Sequence, residues 1–117
     1  MSDIVTDIKT RVEVSSLDEA LPAYRKLSGD AEPRFREFPQ LRLAVVGVFI
    51  LLERGSETPA PIAAAATLTV SDLTAAVEAF TQHGGEVLDG PVDTGAGHRT
   101  FVRDNDGNVF ECFQPAA

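Results

Sequence analysis

The residue best placed to do chemistry in this sequence is Glu111, which interrupts the otherwise largely apolar run Val-Phe-Glu-Cys-Phe-Gln. The alternation of a β-strand would put Val109, Glu111 and Phe113 on one face and Phe110 and Cys112 on the other. A carboxylate among apolar neighbours either faces a pocket, where it can anchor a cation or move a proton, or it faces solvent from an outer sheet surface. Both interpretations are open from this strand alone.

A predicted hairpin positions this carboxylate. Residues 98–103 and 109–114 are rich in β-branched and aromatic side chains, and residues 104–108 between them read Asp-Asn-Asp-Gly-Asn. Residues of these types tolerate left-handed backbone and bond their own main chain, as a turn between two strands requires. The sequence therefore predicts that the chain closes with two antiparallel strands.

Length and cysteine content limit the possible architectures. A chain of 117 residues with 44% hydrophobic residues fits one domain with a substantial core, covering residues 1–117. The single cysteine, Cys112, excludes an internal disulfide framework and a cysteine-rich zinc site, and it indicates core packing in a reducing compartment. The first ten residues include Asp3 and Asp7 and lack the layout of a signal peptide, so a cytoplasmic location is expected.

Charge and hydropathy narrow the classes of partner. The net charge of −8 divides into −1 for residues 1–56, with 8 basic and 9 acidic side chains, and −7 for residues 57–117, with 2 and 9. Such an acidic surface repels phosphate backbones, so nucleic acid is not expected as a partner, whereas a cationic small molecule would be attracted. Solubility alone is an equally good explanation. The longest apolar run, residues 41–52, contains Arg42 and is shorter than the roughly 20 residues that span a bilayer, so no membrane partner is expected.

The chain repeats itself with an offset of 56 residues. The matched pairs are Val14 and Val70, Ser15 and Ser71, Leu17 and Leu73, Ala20 and Ala76, Ala23 and Ala79, and Gly29 and Gly85. Each copy has a strand, an amphipathic helix and three further strand-like segments, which is a βαβββ module. Module 1 covers about residues 8–53, a proline-containing linker covers residues 54–61, and module 2 covers about residues 62–114.

The predicted elements follow from local patterns. Strands are expected over residues 9–14, 34–38, 62–70, 86–88, 98–103 and 109–114, and residues 41–53 are expected to form one long strand or two consecutive strands hinged at Gly47. Helices are expected over residues 17–29 and 72–83. An interior proline removes a helical hydrogen bond, so Pro22 predicts either a distorted first turn or a helix that starts near Leu21.

A four-stranded sheet with a helix on one face leaves its other face open, so two modules are expected to enclose a cleft. The predicted fold is α+β, with two tandem βαβββ modules forming a curved, partly closed mixed sheet around that cleft. The helix phase assigns a set of charged, aromatic and apolar residues to the cleft side. They are Lys9, Arg11, Glu13, Ile50, Thr67, Arg99, Phe101, Arg103, Glu111 and Phe113.

The paired modules resemble the vicinal oxygen chelate superfamily, which includes glyoxalase I, fosfomycin-inactivating enzymes, extradiol dioxygenases and bleomycin-resistance proteins. The resemblance is carried by the Val-Ser-x-Leu-x-x-Ala helix starts at residues 14–20 and 70–76 and by the closing Arg-Asp-Asn-Asp-Gly-Asn-Val-Phe-Glu at residues 103–111. It covers nearly the whole chain and implies the fold. The family usually has proline where Asn105 stands. Because this fold carries out many reactions, the resemblance leaves the reaction open.

The resemblance also implies where a metal would bind, and here the sequence departs from it. Metal-dependent members place histidines or other ligands at positions that fall on Lys9 and Ala65 and on the closing strands at Ile50 and Glu111. Only Glu111 can coordinate, and one carboxylate falls short of the three or four ligands that zinc or iron needs. A metal-free member without a cofactor is therefore expected. Lys9 takes the place of the lost histidine and could approach Glu111, and if the two meet, the ammonium should hold that carboxylate ionised.

Two functions are consistent with these residues. The first is metal-independent binding of an aromatic or charged metabolite or antibiotic, with Phe101 and Phe113 stacking on it and with Arg99, Glu111 and Thr67 orienting it. The second is a metal-independent lyase, isomerase or cyclase acting on a carbonyl-containing metabolite, with Glu111 as base and Lys9 or Arg11 as electrophile. A domain that only offers an interaction surface is a third possibility. The family also suggests a homodimer.

Overall fold

The computed structural model describes residues 3–38, 41–54 and 64–117, and in these ranges it contains eight strands and two helices. The first module consists of β1 (Val5–Val14), α1 (Leu17–Leu27), β2 (Arg34–Phe38), β3 (Leu41–Val46) and β4 (Phe49–Arg54). The second consists of β5 (Ala66–Val70), α2 (Leu73–Thr81), β6 (Glu86–Asp93), β7 (Gly97–Arg103) and β8 (Val109–Pro115). The predicted α+β class with two tandem βαβββ modules is confirmed. Neither helix is long and apolar enough to span a membrane.

The chain divides into two compact units. The N-terminal unit comprises residues 9–61, and the C-terminal unit comprises residues 62–117 together with residues 1–8. The start of β1 joins the C-terminal unit through a 3.0 Å hydrogen bond from the Ser71 amide to the Ile4 carbonyl. The assignment of the whole chain to one domain stays a prediction, and residues 55–61 of the predicted linker lie outside the described residues.

The two units have the same strand order. In the N-terminal unit the order is β2-β3-β4-β1, with β1 parallel to β4 and the other pairs antiparallel. In the C-terminal unit the order is β5-β8-β7-β6, with β5 parallel to β8 and the other pairs antiparallel. The first and last strands of each module are therefore hydrogen-bonded neighbours.

Helix α1 begins where its capping residues place it. Ser16 is the N-cap and accepts a 3.3 Å hydrogen bond from the Glu19 amide. Leu17 and Leu21 are buried in a core with Ala44, Val46 and Leu51. The expectation of a start near Leu21 is therefore wrong, because the Ser16 cap and the burial of Leu17 outweigh the hydrogen bond lost at Pro22.

Helix α2 repeats this design in the C-terminal unit. Asp72 is the N-cap and accepts a 3.1 Å hydrogen bond from the Ala75 amide. The helix buries Leu73 and Ala76 in a core with Val70, Val102 and Cys112. The repeat found in the sequence is therefore a repeat of capping and of core packing.

Three strands differ from their predicted bounds. β1 begins at Val5 rather than residue 9, and β5 begins at Ala66, while residues 62–63 of its predicted range lie outside the described residues. β6 continues to Asp93 instead of ending at Leu88. It does so through two register shifts against β7, with Gly90 at a φ of 108°, a conformation that glycine adopts readily.

The predicted hairpin is confirmed, and its turn is held by one carboxylate. Asp104 accepts hydrogen bonds from the amides of Asp106 at 2.9 Å and Asn108 at 2.8 Å, and from the Asn108 side chain at 2.9 Å. The hydrogen bonds from Asn108 are the main reason that the pKa of Asp104 lies below its ordinary value. This turn fixes the start of β8 and with it the register of Glu111.

Candidate functional site

A row of four residues crosses the sheet of the C-terminal unit on the face away from α2, here called its helix-distal face. Strand pairing places Thr67 beside Glu111, Glu111 beside Phe101, and Phe101 beside Asp89. Residues paired across neighbouring strands share a sheet face. Because Cys112 packs in the α2 core, its neighbour Glu111 must lie on the opposite face.

Glu111 is held by a hydroxyl from the neighbouring strand. The Thr67 hydroxyl donates a 2.8 Å hydrogen bond to Glu111 Oε1, and Thr67 is 4% exposed while Glu111 is half-buried. A hydroxyl donor at this distance fixes the orientation of the carboxylate. Glu111 is therefore an oriented hydrogen-bond acceptor on this face.

Arg99 forms the second polar feature of this face. Its guanidinium lies 4.9 Å from the centroid of the Phe101 ring and donates a 2.8 Å hydrogen bond to Asp89 Oδ2. The ring and the carboxylate together restrict the guanidinium to one orientation. Phe113 is the strand partner of Arg99 and is half-buried, so it extends the aromatic surface by one row.

Acidic residues of β6 compensate both arginines of this face. Asp89 pairs with Arg99, and Glu86 forms an ion pair with Arg103. The sequence predicted both arginines on the cleft side and Arg99 as a ligand contact, but it did not predict their acidic partners. Asp89 was missed because the predicted strand ended at Leu88. The signal that could have found Asp89 is its place in a strand continuing through the glycine-proline pair at residues 90–91.

Cys112 lies behind Glu111 and is not a nucleophile at neutral pH. It is fully buried, and burial, followed by the negative charge of Glu111, raises the pKa of its thiol to about 11. A thiol with so high a pKa is almost entirely protonated at neutral pH and therefore unreactive. The predicted role of Cys112 in core packing is consistent with this environment.

Four predicted site residues belong to the N-terminal unit. Lys9 donates a 3.3 Å hydrogen bond to the Gly47 carbonyl, Arg11 pairs in register with Ile50, and Glu13 pairs with Leu52. Ile50 is 8% exposed. Because the other predicted residues lie in the C-terminal unit, the expected approach of Lys9 to Glu111 stays a prediction.

Within the C-terminal unit, five predicted residues occupy adjacent positions on one face: Thr67, Arg99, Phe101, Glu111 and Phe113. Gly97 supports this arrangement, since a Cβ added there would lie only 2.9 Å from the Phe113 ring. The sequence therefore predicted the shared face of these residues, although not the hydrogen bond between Thr67 and Glu111. Their role as ligand contacts is still a prediction.

The residues at the family's metal positions do not fit a metal ion. An ammonium at Lys9, hydrocarbon side chains at Ile50 and Ala65, and a single carboxylate at Glu111 provide one suitable donor. Across residues 3–38, 41–54 and 64–117, the structure contains no group of three histidine, cysteine or acidic side chains that could hold a metal. No step of chemistry is therefore assigned to a metal here.

Comparison with solved structures identifies several with the same fold. An uncharacterized protein from Methanosarcina mazei is 27% identical, with a TM-score of 0.85 over 96% of this chain and 94% of its own. Methylmalonyl-CoA epimerase from Mycobacterium tuberculosis is 19% identical, with a TM-score of 0.76 over 100% and 93%. The Streptomyces coelicolor methylmalonyl-CoA epimerase is 20% identical, with a TM-score of 0.74 over 97% and 99%.

No curated protein matches the sequence. The epimerases are similar in fold, and at such low identity that similarity does not extend to their activity. The family model of the glyoxalase/bleomycin resistance protein/dioxygenase superfamily matches residues 14–112, which include both helices and the strand that carries Glu111. The chain therefore belongs to the glyoxalase/bleomycin resistance protein/dioxygenase superfamily.

Proposed function

We propose that this protein is a metal-independent small-molecule-binding protein of the glyoxalase/bleomycin-resistance type. Its ligand is an aromatic or charged metabolite or antibiotic that contacts the helix-distal face of the C-terminal unit. The observation that carries the proposal is the Thr67–Glu111 hydrogen bond of 2.8 Å, beside the Arg99 guanidinium stacked on Phe101. A fixed acceptor next to a flat, oriented cation is an arrangement that recognises a planar molecule bearing hydrogen-bond donors.

The charges of this face favour one class of ligand. Arg99 and Arg103 are already paired with Asp89 and Glu86, so an anionic ligand would have to compete with those carboxylates. A carboxylate oxygen can only accept hydrogen bonds, as Glu111 does from the Thr67 hydroxyl. Glu111 therefore favours a ligand that offers an ammonium, amide or hydroxyl donor, while the outer face of Arg99 offers a surface for stacking.

A binding screen followed by calorimetry tests this proposal. We expect a thermal-shift screen of natural-product antibiotics and small oxo-acids to identify planar ligands with donor groups. In titration calorimetry of the best ligand, Glu111→Gln and Thr67→Val should each weaken binding roughly tenfold or more, because one charged or oriented acceptor is lost. Glu78→Gln, which removes a charge from the exposed surface of α2, is the matched control and should bind like the wild type.

Two results would contradict the proposal. Affinity that is unchanged in Glu111→Gln would mean that the ligand does not use this face. Stoichiometric zinc, nickel, manganese or iron in elemental analysis of the purified protein would disprove the metal-independent part and leave the ligand face to be tested separately.

The alternative is a metal-independent lyase, isomerase or cyclase, and the orientation of Glu111 supports it. The Thr67 hydroxyl holds this carboxylate in place through a 2.8 Å hydrogen bond. Glu111 would take a proton from the carbon next to a carbonyl, and the electron pair would move to the carbonyl oxygen. Lys9 or Arg11 would stabilise that oxygen until the proton returns.

Isotope exchange distinguishes the two functions. An enzyme of this kind should exchange the carbon-bound hydrogen of an oxo-acid ligand with deuterium from the solvent. Glu111→Gln should abolish the exchange while the ligand still binds, and Glu78→Gln should leave it unchanged. A wild-type protein that binds its ligand without any exchange would support binding alone.

A further inference from the structure

Asp89 lies on the helix-distal face of the C-terminal unit only because β6 is irregular. Between the pair Val87–Val102 and the pair Asp89–Phe101, β6 advances by two residues while β7 advances by one. In an unbroken antiparallel register, Leu88 would stand opposite Phe101, and Asp89 would lie on the face that packs against α2. A bulge of one residue moves the residues that follow it to the opposite face. The bulge therefore turns a carboxylate away from the core and towards the proposed ligand.

The residue after Asp89 allows β6 to stay close to β7 at this point. A Cβ added to Gly90 would lie 2.6 Å from the Arg99 carbonyl oxygen and 3.0 Å from the Thr100 Cα. These are backbone atoms of the neighbouring strand, so a larger residue at position 90 would push the two strands apart. Glycine at this position thus keeps Asp89 within reach of Arg99.

The result of this arrangement is an ion pair on an aromatic ring. Arg99 Nη1 donates a 2.8 Å hydrogen bond to Asp89 Oδ2, and the guanidinium carbon lies 4.9 Å from the centroid of the Phe101 ring. The side chains of Arg99 and Asp89 are 25% and 46% exposed, and an ion pair with this much exposure contributes little to stability. Its main consequence is electrostatic, because the cation stacked on Phe101 already has an anion at hydrogen-bonding distance.

We infer that Asp89 sets the charge selectivity of the helix-distal face, so that this face accepts neutral or cationic planar molecules and rejects planar carboxylates. The inference rests on the proposed function, because it takes this face as the site of the ligand. Arg99, Asp89 and Glu111 carry one positive and two negative charges, so an anion that approaches the guanidinium also meets two carboxylates. Without the charge of Asp89, the fork of Arg99 would be open to a carboxylate through two parallel hydrogen bonds.

NMR titrations of the full-length chain with benzamide and benzoate test the inference. The two probes have nearly the same planar shape, but benzamide is neutral and benzoate is an anion at neutral pH. The wild type should bind benzamide, with shifts of the β7 and β8 amides, and should bind benzoate roughly fivefold more weakly or worse. Asp89→Asn keeps the shape of its side chain and removes the charge. It should tighten benzoate binding roughly fivefold or more and leave benzamide within about twofold of the wild type.

Two further variants show whether the gain for benzoate depends on Arg99. Asp106→Asn makes the same chemical change at an exposed residue of the turn at residues 104–108, and it should bind both probes like the wild type. Asp89→Asn combined with Arg99→Gln should lose the gain, because the carboxylate of benzoate would bind through the guanidinium. A gain that persists in the double variant, or that appears equally in Asp106→Asn, would be an effect of overall charge and would overturn the inference.

The same titrations distinguish failure of this inference from failure of the proposed function. Benzamide binding that is unchanged in Glu111→Gln contradicts the proposed ligand face itself. If Glu111→Gln weakens benzamide but Asp89→Asn leaves the ratio of the two affinities unchanged, only the inference is overturned. Equal weakening of both probes in Asp89→Asn has the same meaning, since it indicates a residue that merely supports the sheet. An Asp89→Asn variant that binds neither probe also overturns the inference, because its Arg99 should then bind benzoate.

Discussion

The two modules have the same backbone plan but different helix-distal faces, and one pair of equivalent rows shows this directly. Across β1, β4, β3 and β2, the register in the N-terminal unit runs through Arg11, Ile50, Val45 and Arg34. Across β5, β8, β7 and β6, the row in the C-terminal unit runs through Thr67, Glu111, Phe101 and Asp89. The two rows begin at Arg11 and Thr67, which are 56 residues apart and therefore equivalent in the repeat. Ile50 and Glu111 are the second residues of these rows, so they are equivalent positions as well.

The faces that pack against the helices are, in contrast, similar in the two modules. Leu17 and Leu73 occupy the same place at the start of each helix, and both are buried. A residue that packs against a helix must be apolar for the module to form at all. The helix-distal face is under no such requirement, and there one module carries the hydrogen-bonded carboxylate Glu111 where the other carries the apolar Ile50.

Substitution at one of these two equivalent positions, Ile50, should have the largest effect on stability. Ile50 is 8% exposed, so Ile50→Glu would bury a carboxylate and should lower the free energy of unfolding by about 3 kcal/mol or more. Glu111→Gln keeps the size and the acceptor of its side chain and should change it by about 1 kcal/mol or less. Urea denaturation of both variants measures the difference.

A well-folded Ile50→Glu with wild-type stability would remove this contrast. It would mean that Arg11, the strand partner of Ile50, can neutralise an introduced carboxylate. In that case residue 50 of the N-terminal unit could carry the same chemistry as Glu111, and the apolar side chain at this position would not reflect a physical constraint.

The residues that cap the helices from the last strand of each module give the next largest effect. Glu53 accepts a 2.6 Å hydrogen bond from the Leu17 amide, and Gln114 accepts a 2.8 Å hydrogen bond from the Leu73 amide. Glu53→Ala should cost about 2 kcal/mol and Gln114→Ala about 1 kcal/mol, because a bond to a charged acceptor is stronger and the helix N-terminus favours negative charge.

Exchanging these caps sharpens the comparison. Gln114→Glu should stabilise the protein by several tenths of a kcal/mol, since it gives α2 the charged cap that α1 has. Glu53→Gln should lose about half of what Glu53→Ala loses. Equal costs for the two alanine variants, measured by urea denaturation, would show that the charge of Glu53 contributes nothing at this position.

The sequence predicted those features that depend on periodicity and on the repeat. The helix starts, the hairpin with its turn at residues 104–108 and the shared face of Thr67, Glu111 and Phe101 all follow from local patterns of side chains. The extension of β6 past Leu88 did not follow, because glycine and proline at residues 90–91 normally end a strand. The ion pair between Asp89 and Arg99 was missed for the same reason, since a contact between residues ten apart depends on a register that bulges have shifted.

Each unit also has a buried hydroxyl without a hydrogen-bond partner among the described residues. These are the hydroxyls of Ser28 in the N-terminal unit and of Thr100 in the C-terminal unit. Thr100 is 1% exposed, so Thr100→Val should raise the free energy of unfolding by about 1 kcal/mol by removing an unsatisfied polar group. Ser28→Ala should raise it less, because Ser28 is only half-buried. A destabilised Thr100→Val in thermal denaturation would show that this hydroxyl has a partner, such as a buried water.

A further effect should appear at alkaline pH and concerns the residues that follow Ile50 and Glu111. Leu51 and Cys112 are both fully buried, but only the thiol titrates. Its pKa is raised from 9.0 to about 11, chiefly by burial and then by the charge of Glu111. Since the folded state holds this proton more tightly than the unfolded chain, its contribution to stability is complete below pH 9 and is lost as the pH rises towards 11.

Denaturation below, within and above this pH window tests the prediction. Cys112→Ala has no thiol to titrate, so it should lack the part of the alkaline stability loss that the thiol causes. Glu111→Gln removes the second cause of the raised pKa of Cys112, so this pKa should fall. The alkaline stability loss should then be complete at a lower pH than in the wild type. Rapid alkylation of Cys112 in the native protein at neutral pH would contradict both the burial and the pKa. An unchanged window in Glu111→Gln would instead mean that burial alone sets this pKa and that the carboxylate on the other face has no electrostatic influence on the core.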